Sequence, residues 1–333
     1  MTSGFTIFAG TANAALAASI ARQLGVGLGA CGIERFPDGE VAVRLLEPVR
    51  RKEVFLVQPT SPPVNDNLVE LLALADACRR AAAARITAVL PYFGYARADK
   101  RHGCREPITG RVIADLLEAV GIDHVVTVDL HAPQIEGFFH LPVDSLTAMP
   151  TLCRALRDRL PSDAVVVSPD AGRTRLATQY AQCLGAPVVV LHKQRESGTE
   201  THVTHVIGDV SNRPCLIVDD IISTGGTLAE SVTALLNAGA RPEIIIAATH
   251  GLLLQGVRDK LVDPAIREVL VTDSVSVTEQ NWPQLRVASI APLIADALER
   301  FLTDGTLGDL YKANASNPVA DKEKKKHAST TLS

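Results

Sequence analysis

The chain alternates short, continuous apolar runs with longer stretches in which apolar residues recur at helical spacing. Apolar runs of about four to eight residues are typical of buried parallel strands, and the second pattern is typical of helices with one buried face. Strands are predicted at 5–9, 54–58, 86–90, 124–129, 164–168, 188–191, 216–218, 244–248, 268–272 and 286–289. Helices are predicted at 13–24, 65–84, 108–120, 174–184, 228–238, 251–261 and 290–302, and a polar loop is predicted at 196–205.

This alternation continues through both halves of the chain, which predicts an α/β fold with two doubly wound, mainly parallel sheets flanked by helices. A length of 333 residues is sufficient for two cores. The proline-bearing stretch 141–150 is the predicted boundary between an N-terminal domain, 1–145, and a C-terminal domain, 146–312. The last helix is expected to pack back on the N-terminal domain. The polar, lysine-rich segment 317–333 is predicted to be a disordered tail.

Composition and charge exclude several classes of function. Apolar residues make up 47% of the chain and charged residues 21%, which is typical of a soluble globular protein. A net charge of −4 gives no electrostatic reason to expect a nucleic-acid partner. No apolar run approaches the ~18 residues that a membrane span requires, and the first residues lack the basic segment of a secretory signal. The six cysteines are scattered without zinc spacing, so we expect buried thiols in a reducing cytoplasm.

The stretch 215–227, CLIVDDIISTGGT, has the strongest chemical signal in the chain. Asp219 and Asp220 are predicted to follow a buried strand, and a small-residue turn from Ser223 to Thr227 is predicted to precede a helix. Glycines let the backbone approach a ligand, and the free N–H groups at a helix start attract an anion. Two carboxylates beside that anion site suit vicinal hydroxyl groups, so the stretch predicts a ribose 5-phosphate site. The alternative interpretation is an acidic turn with a glycine-rich helix cap.

Other polar segments follow predicted strands or lie between them. In 91–111, five basic residues interleave with three aromatic rings, a combination that suits a nucleoside triphosphate but also occurs in solvated basic loops. His131 and Asp170 each lie just beyond the end of a predicted strand, where α/β sheets place their sites. The turn 36–40 has the composition of a hairpin tip.

Together these segments resemble the ribose-phosphate diphosphokinase family, and 215–227 resembles the ribose-phosphate signature of type I phosphoribosyltransferases. The resemblance extends from about residue 5 to residue 312. The matching segments are FPDGE (36–40), NDNLVELL (65–72), YFGYARADKR (92–101), REPITGR (105–111), VDLHAPQIEGFF (128–139), VSPDAG (167–172), HKQR (192–195) and VDDIISTGGT (218–227).

The resemblance implies two tandem phosphoribosyltransferase-like domains with the active site between them. It implies transfer of the diphosphoryl group of ATP to the 1-hydroxyl of ribose 5-phosphate, with release of AMP, as a step that feeds nucleotide biosynthesis. It also implies Mg²⁺ as the cofactor. It further implies a homo-oligomer built from dimers, expected to be a hexamer, in which neighbouring subunits share active sites.

The resemblance also assigns roles to residues, by position. It places ATP at Phe36, Asp38, Gly39, Glu40, Arg97, Ala98 and Asp99, with the 36–40 turn supplied by a neighbouring subunit. It places the magnesium–triphosphate at His131 and Asp170, and it makes Lys193 and Arg195 catalytic. It places ribose 5-phosphate at Arg195, Asp219, Asp220, Ser223, Thr224, Gly225, Gly226 and Thr227. Because magnesium prefers oxygen ligands, His131 is expected to contact a bound water or the phosphate.

The sequence departs from the family pattern at Ala98, at Ser223 and in the less basic segment after Arg195. Two other functions are alternatives: a non-catalytic subunit that regulates an active synthetase, and a phosphoribosyltransferase that consumes the activated sugar. The first predicts damage to the segment that carries Lys193 and Arg195 or to the glycine turn, but both Lys193–Arg195 and Thr224–Thr227 are intact in this sequence. The second explains neither the 36–40 turn nor the 92–111 stretch.

Overall fold

The computed structural model describes residues 4–101, 103–197, 200–278, 281–303, 305–308 and 310, and it leaves the side chains of 193–204 outside that description. The strands are Phe5–Ala9 (β1), Cys31–Arg35 (β2), Val41–Leu45 (β3), Glu53–Val57 (β4), Arg85–Leu90 (β5), His124–Val128 (β6), Val143–Leu146 (β7), Val165–Ser168 (β8), Val188–Ser197 (β9), Glu200–Ile207 (β10), Cys215–Ile222 (β11), Ile244–Gly251 (β12), Ile266–Thr272 (β13) and Leu285–Ala288 (β14). The α-helices are Ala14–Gln23 (α1), Val64–Arg80 (α2), Thr109–Val120 (α3), Met149–Arg157 (α4), Thr174–Leu184 (α5), Gly226–Asn237 (α6), Val257–Leu261 (α7) and Ala291–Leu302 (α8).

The first half forms a five-stranded sheet in the order β1-β4-β5-β6-β7, in which every pairing is parallel. Apolar side chains cover both faces. One core contains Leu71 and Leu74 of α2 and Leu117 of α3, and the other contains Leu16 and Ile20 of α1. Burial on both faces explains why these strands read as continuous apolar runs instead of alternating patterns. A separate antiparallel hairpin, β2–β3, lies outside this sheet.

The second half forms a seven-stranded sheet in the order β10-β9-β8-β11-β12-β13-β14. All of its pairings are parallel except that of β10 with β9. Its two cores contain Leu228 and Leu235 of α6 on one face, and Leu152 of α4 and Tyr180 of α5 on the other. The predicted α/β fold with two doubly wound, mainly parallel sheets is therefore confirmed.

Several contacts join the two halves of the chain. Ile294 and Leu298 of α8 pack into the same apolar cluster as Leu16 and Ile20 of α1. At the sheet edges, the Thr249 hydroxyl donates to Asp129 Oδ2 at 2.6 Å. Because β6 and β12 bring these residues together from different sheets, the carboxyl ends of the two sheets face one another.

The prediction of a polar loop at 196–205 is wrong, because β9 continues to Ser197 and β10 pairs with it in antiparallel register. Thr201 and Val203 are β-branched residues, which favour a strand, and the polarity of the intervening residues concealed that preference. The predicted 251–261 helix is also shorter than expected, because β12 extends to Gly251 and α7 begins at Val257.

Three of the six cysteines are buried. Cys78, Cys153 and Cys215 are buried as predicted, but Cys31 and Cys183 are only half-buried and Cys104, in the polar 91–111 stretch, is exposed. The predicted tail 317–333 lies outside the described residues. No helix in the part of the chain that the structure describes has the length and apolar character that a bilayer crossing requires.

Candidate active site

Asp219 and Asp220 lie within β11, not after its end as predicted. Pairing with β8 covers only Cys215–Ile217, but pairing with β12 continues as far as Ile222 opposite Gly251. Because β12 is buried along its whole length, it holds the acidic part of β11 in the sheet. The two carboxylates consequently project from a rigid central strand, which fixes their positions better than a loop would.

Arg173 binds both acids. Its Nε lies 3.2 Å from Asp219 Oδ1, and one of its terminal nitrogens, Nη2, lies 2.9 Å from Asp220 Oδ1. His131 Nδ1 lies 2.7 Å from Asp220 Oδ2 and 2.8 Å from Arg173 Nη2. Because a ring nitrogen cannot donate and accept at once, a protonated Nδ1 donates to the Asp220 carboxylate and does not accept from Arg173. This acid–arginine–histidine cluster joins the ends of β6, β8 and β11.

The surroundings shift the pKa values of the two carboxyl groups in opposite directions. Burial acts to raise the pKa of Asp220, but the hydrogen bond from His131 and the charge of Arg173 outweigh it and lower that pKa to about 2. Burial and the neighbouring Asp220 charge hold the pKa of Asp219 well above its usual range. The pair therefore presents one firmly ionised carboxylate and one group that is easily protonated.

The predicted phosphate loop, Ser223–Thr227, runs from the end of β11 into the first turn of α6. Gly225 precedes the helix with φ of 72°, in the left-handed region that favours glycine. A Cβ added there would meet Val257 Cγ2 at 2.8 Å. The loop therefore leads from the acidic strand directly into the N-terminus of a twelve-residue helix, and the free N–H groups of a helix start are suited to binding an anion.

The left-handed backbone and the nearby Val257 side chain make position 225 more sensitive to substitution than position 226. We expect Gly225→Ala to destabilise the protein by about 1–3 kcal/mol, because it combines a strained φ with a steric overlap. Gly226→Ala is the matched control: a Cβ there has Thr224 Oγ1 at 4.0 Å as its nearest neighbour, and alanine favours the helix. Urea denaturation of both variants checks the prediction, and equal losses of stability would contradict it.

A cavity of about 650 Å³ opens beside the acidic cluster. Asp129, His131 and Ser145 line it from the first half of the chain, and Arg173, Arg175 and Asp220 line it from the second. Asp170 lies at the edge of this region, where its Oδ1 accepts a hydrogen bond of 3.0 Å from Arg173 N. The structure therefore brings the predicted metal-site residues, His131 and Asp170, next to the predicted ribose-site acids.

The predicted nucleotide residues Arg97, Ala98 and Asp99 lie in a turn after β5. Arg97 is within hydrogen-bonding reach of the Tyr92 hydroxyl, and Tyr92 packs edge-on against His250 with ring centroids 5.0 Å apart. Burial raises the pKa of Tyr92, Arg97 opposes that shift, and the charge of Asp220 adds to it, so Tyr92 lies near the acidic cluster. Asp99 accepts a hydrogen bond from Gln134 Nε2. Arg97 is therefore connected through Tyr92 to the same sheet edge as the ribose-site acids.

The 36–40 turn is the tip of the β2–β3 hairpin. Phe36 N donates to Glu40 O at 2.8 Å, and Gly39 adopts φ of 94°. Asp38 Oδ1 caps the turn by accepting from Glu40 N at 3.1 Å. The Phe36 side chain is 48% exposed, which is unusual for a large aromatic ring. The hairpin tip therefore presents its residues to solvent, separately from the cavity described above.

The predicted catalytic residues Lys193 and Arg195 belong to the backbone of β9, opposite Val203 and Thr201 of β10. Their side chains lie outside the described part of the structure. The backbone nevertheless places both residues beyond the end of the β8–β9 pairing, where Ser168 pairs with Val190. Because β8 also leads to Asp170, the segment starts from the same edge of the sheet as the acidic cluster.

Comparisons with known proteins identify the family. Residues 5–121 match the N-terminal domain of ribose phosphate pyrophosphokinase, and residues 153–278 match the phosphoribosyl transferase domain. The chain is 42% identical over 308 residues to a ribose-phosphate pyrophosphokinase of Gloeobacter violaceus, covering 92% of both chains. It is 44% identical to that of Chromobacterium violaceum, covering 92% of this chain and 94% of the relative. The chain belongs to the ribose-phosphate pyrophosphokinase family.

A solved structure agrees with this assignment. The crystal structure of phosphoribosylpyrophosphate synthetase from Mycobacterium smegmatis superposes with a TM-score of 0.85 and 42% sequence identity, covering 90% of this chain and 99% of that one. The predicted family and its two phosphoribosyltransferase-like domains are thus confirmed. The two alternatives, a regulatory subunit and a sugar-consuming transferase, are not favoured by these matches.

Ribose-phosphate pyrophosphokinases generally work with a metal ion. Among the residues that the structure describes, no group of three or more His, Cys, Asp or Glu side chains is arranged to hold one. Magnesium is commonly bound by one or two carboxylates together with substrate phosphates. Asp170, whose Oδ1 accepts from the backbone N–H of the cavity-lining Arg173, is a carboxylate that fits a metal held in that way.

Arg173 is the main residue of this site that sequence reasoning missed. It directly follows the VSPDAG segment, and its position after the strand-end acid Asp170 was an available signal. Asp129, which directly follows β6, makes contacts between the halves: its Oδ2 accepts from Ala148 N at 3.0 Å as well as from the Thr249 hydroxyl.

Proposed function

We propose that the protein synthesises 5-phosphoribosyl 1-diphosphate by transferring the diphosphoryl group of ATP to the 1-hydroxyl of ribose 5-phosphate, releasing AMP. The observation that supports this most strongly is the contact of 2.7 Å between His131 and Asp220, which joins the triphosphate-side and ribose-side residues at one cavity. The product would feed nucleotide biosynthesis.

The ribose half of the site rests on β11 and its loop. Asp219 and Asp220 accept hydrogen bonds from the 2- and 3-hydroxyls, because vicinal hydroxyls match two neighbouring carboxylates. Ser223, Thr224, Gly225, Gly226 and Thr227 take the 5-phosphate through backbone N–H groups and hydroxyls. This places the sugar's 1-hydroxyl toward the cavity that His131 and Arg173 line.

The nucleotide half rests on the turn after β5. Arg97 provides positive charge for the triphosphate, and Asp99 and the backbone of Ala98 complete that side. The exposed hairpin tip, with Phe36, Asp38, Gly39 and Glu40, supplies the adenine pocket of a neighbouring subunit. This arrangement requires a homo-oligomer, which we propose to be built from dimers and to be a hexamer.

Catalysis requires stabilisation of the negative charge that develops as the β-phosphorus is attacked. Mg²⁺, held by Asp170 and reached by His131 through water or phosphate, would neutralise part of that charge when bound. Lys193 and Arg195 provide further positive charge at the transferring group. Closure of their β9 segment over the substrates would exclude water and limit hydrolysis of ATP.

The identity of the nucleotide product tests the proposed reaction. With ATP, Mg²⁺ and ribose 5-phosphate, we expect AMP to form in a 1:1 ratio with 5-phosphoribosyl 1-diphosphate, as measured by mass spectrometry. Omission of ribose 5-phosphate is the control and should suppress AMP formation. Production of ADP with a singly phosphorylated sugar would instead indicate transfer of the γ-phosphoryl group, and the proposal would be wrong.

A further inference from the structure

Arg173 occupies the carboxylates that the proposed function assigns to the ribose hydroxyls. We propose that Arg173 is a resident counter-cation of the ribose site, which ribose 5-phosphate must displace from Asp219 and Asp220 in order to bind. The inference rests on the proposed function, because it concerns the ligand that those two acids receive.

Arg173 and its neighbours engage three of the four oxygens of the two carboxylates. Asp220 Oδ1 is engaged by Arg173 at 2.9 Å, and Asp220 Oδ2 is engaged by His131 at 2.7 Å. Asp219 Oδ1 is engaged by Arg173 at 3.2 Å and by the backbone N–H of Asp220 at 2.9 Å. An incoming diol has to donate to these same two carboxylates, so it competes directly with the guanidinium.

The fold explains why a cation is held there. β11 buries two adjacent acids in a central strand, with their side chains only 15% and 9% exposed. Unpaired buried carboxylates are costly, and a planar guanidinium can bridge two of them at once. Arg173 is the last residue of a 3₁₀ turn, Ala171–Arg173, that Asp170 caps, and its side chain reaches back to the acids of β11.

The cavity provides a place for the displaced side chain. The Arg173 side chain is 20% exposed, and it lines the 650 Å³ cavity together with Arg175. A guanidinium that leaves the acids stays within this cavity, where it can form bidentate contacts with phosphoryl oxygens. Once displaced from the acids, Arg173 is therefore available to the phosphoryl groups of a bound nucleotide, which are absent when ribose 5-phosphate binds alone.

Breaking the arginine contacts costs free energy, and this cost lowers the affinity for ribose 5-phosphate. We expect Arg173→Gln to bind ribose 5-phosphate about tenfold more tightly than wild type, which corresponds to one charge-assisted hydrogen bond. Isothermal titration calorimetry without nucleotide or metal measures this directly. Arg173→Lys keeps the charge but cannot bridge both acids, so its affinity should lie between the two.

Two controls isolate the competition from general charge effects. Arg175→Gln removes an equal charge from the same cavity without a contact to either acid in the described structure, so it should not tighten binding. 2-Deoxyribose 5-phosphate lacks one of the two hydroxyls, so it should gain less than ribose 5-phosphate from Arg173→Gln. Circular dichroism spectra that match wild type establish that each variant is folded.

Weaker binding by Arg173→Gln than by Arg175→Gln would make Arg173 a ligand-binding group and overturn the proposal. Equal binding by wild type and Arg173→Gln would mean that the arginine does not compete with the sugar, and this result would also overturn the proposal. AMP formation by the same wild-type preparation tests the proposed reaction separately. A preparation that forms AMP, but whose Arg173→Gln variant does not bind more tightly, overturns the displacement alone.

Discussion

Replacing Lys193 by alanine is expected to lower kcat by about 10²-fold or more, with much smaller changes in the KM values for ATP and ribose 5-phosphate. The charge proposed for this lysine acts on oxygens that become more negative as the diphosphoryl group is transferred. A contact that strengthens only in the transition state affects turnover more than substrate affinity, and its loss typically costs about 3 kcal/mol or more. Steady-state kinetics with varied ATP and varied ribose 5-phosphate measure both quantities.

A lysine elsewhere on the surface provides the control. Lys260 is exposed on α7, so Lys260→Ala removes the same charge and should leave kcat unchanged. Lys193→Arg keeps a cation at the position and should retain more activity than Lys193→Ala. An increase in KM with unchanged kcat would mean that Lys193 binds substrate in the ground state, and its assigned role would be wrong.

Much of the fold could be predicted from the sequence because both sheets are mainly parallel and covered on both faces. Such strands appear as continuous apolar runs, and Phe5–Ala9 and Thr174–Leu184 occur where the pattern predicts them. Elements without that burial were harder to find. β7, whose residues are mostly half-buried, was not predicted, and the polar β9–β10 hairpin was interpreted as a loop.

In the candidate site, features that depend on neighbouring residues could be predicted from the sequence, and features that depend on long-range contacts could not. The order strand, acids, glycine turn and helix is local, so residues 215–227 indicated an anion and diol site without the structure. The position of the acids inside β11 depends on pairing with β12, which only the sheet topology determines. Arg173 contacts Asp219 and Asp220, which lie 46 and 47 positions further along the chain, and no local pattern signals that contact.

The exposed tip of the β2–β3 hairpin is proposed to complete the active site of a neighbouring subunit. Asp38→Ala with Glu40→Ala should abolish activity in a homogeneous sample, as should Lys193→Ala, because each removes one part of every site. If neighbours share sites, co-refolding the two inactive variants in equal amounts should restore roughly a quarter of wild-type activity, since random pairing completes that fraction of sites. The tip is exposed in the single chain, so its substitutions leave both sheet cores intact.

A second mixture tests whether recovery requires parts from different subunits. Lys193→Ala and Asp220→Asn both alter the half of the site that one subunit supplies, so mixing those two variants should restore nothing. Native mass spectrometry identifies mixed oligomers in both experiments. If mixed oligomers form and the hairpin mixture is no more active than its separate components, the 36–40 turn does not complete a neighbour's site, because each wild-type site would then draw both parts from one chain.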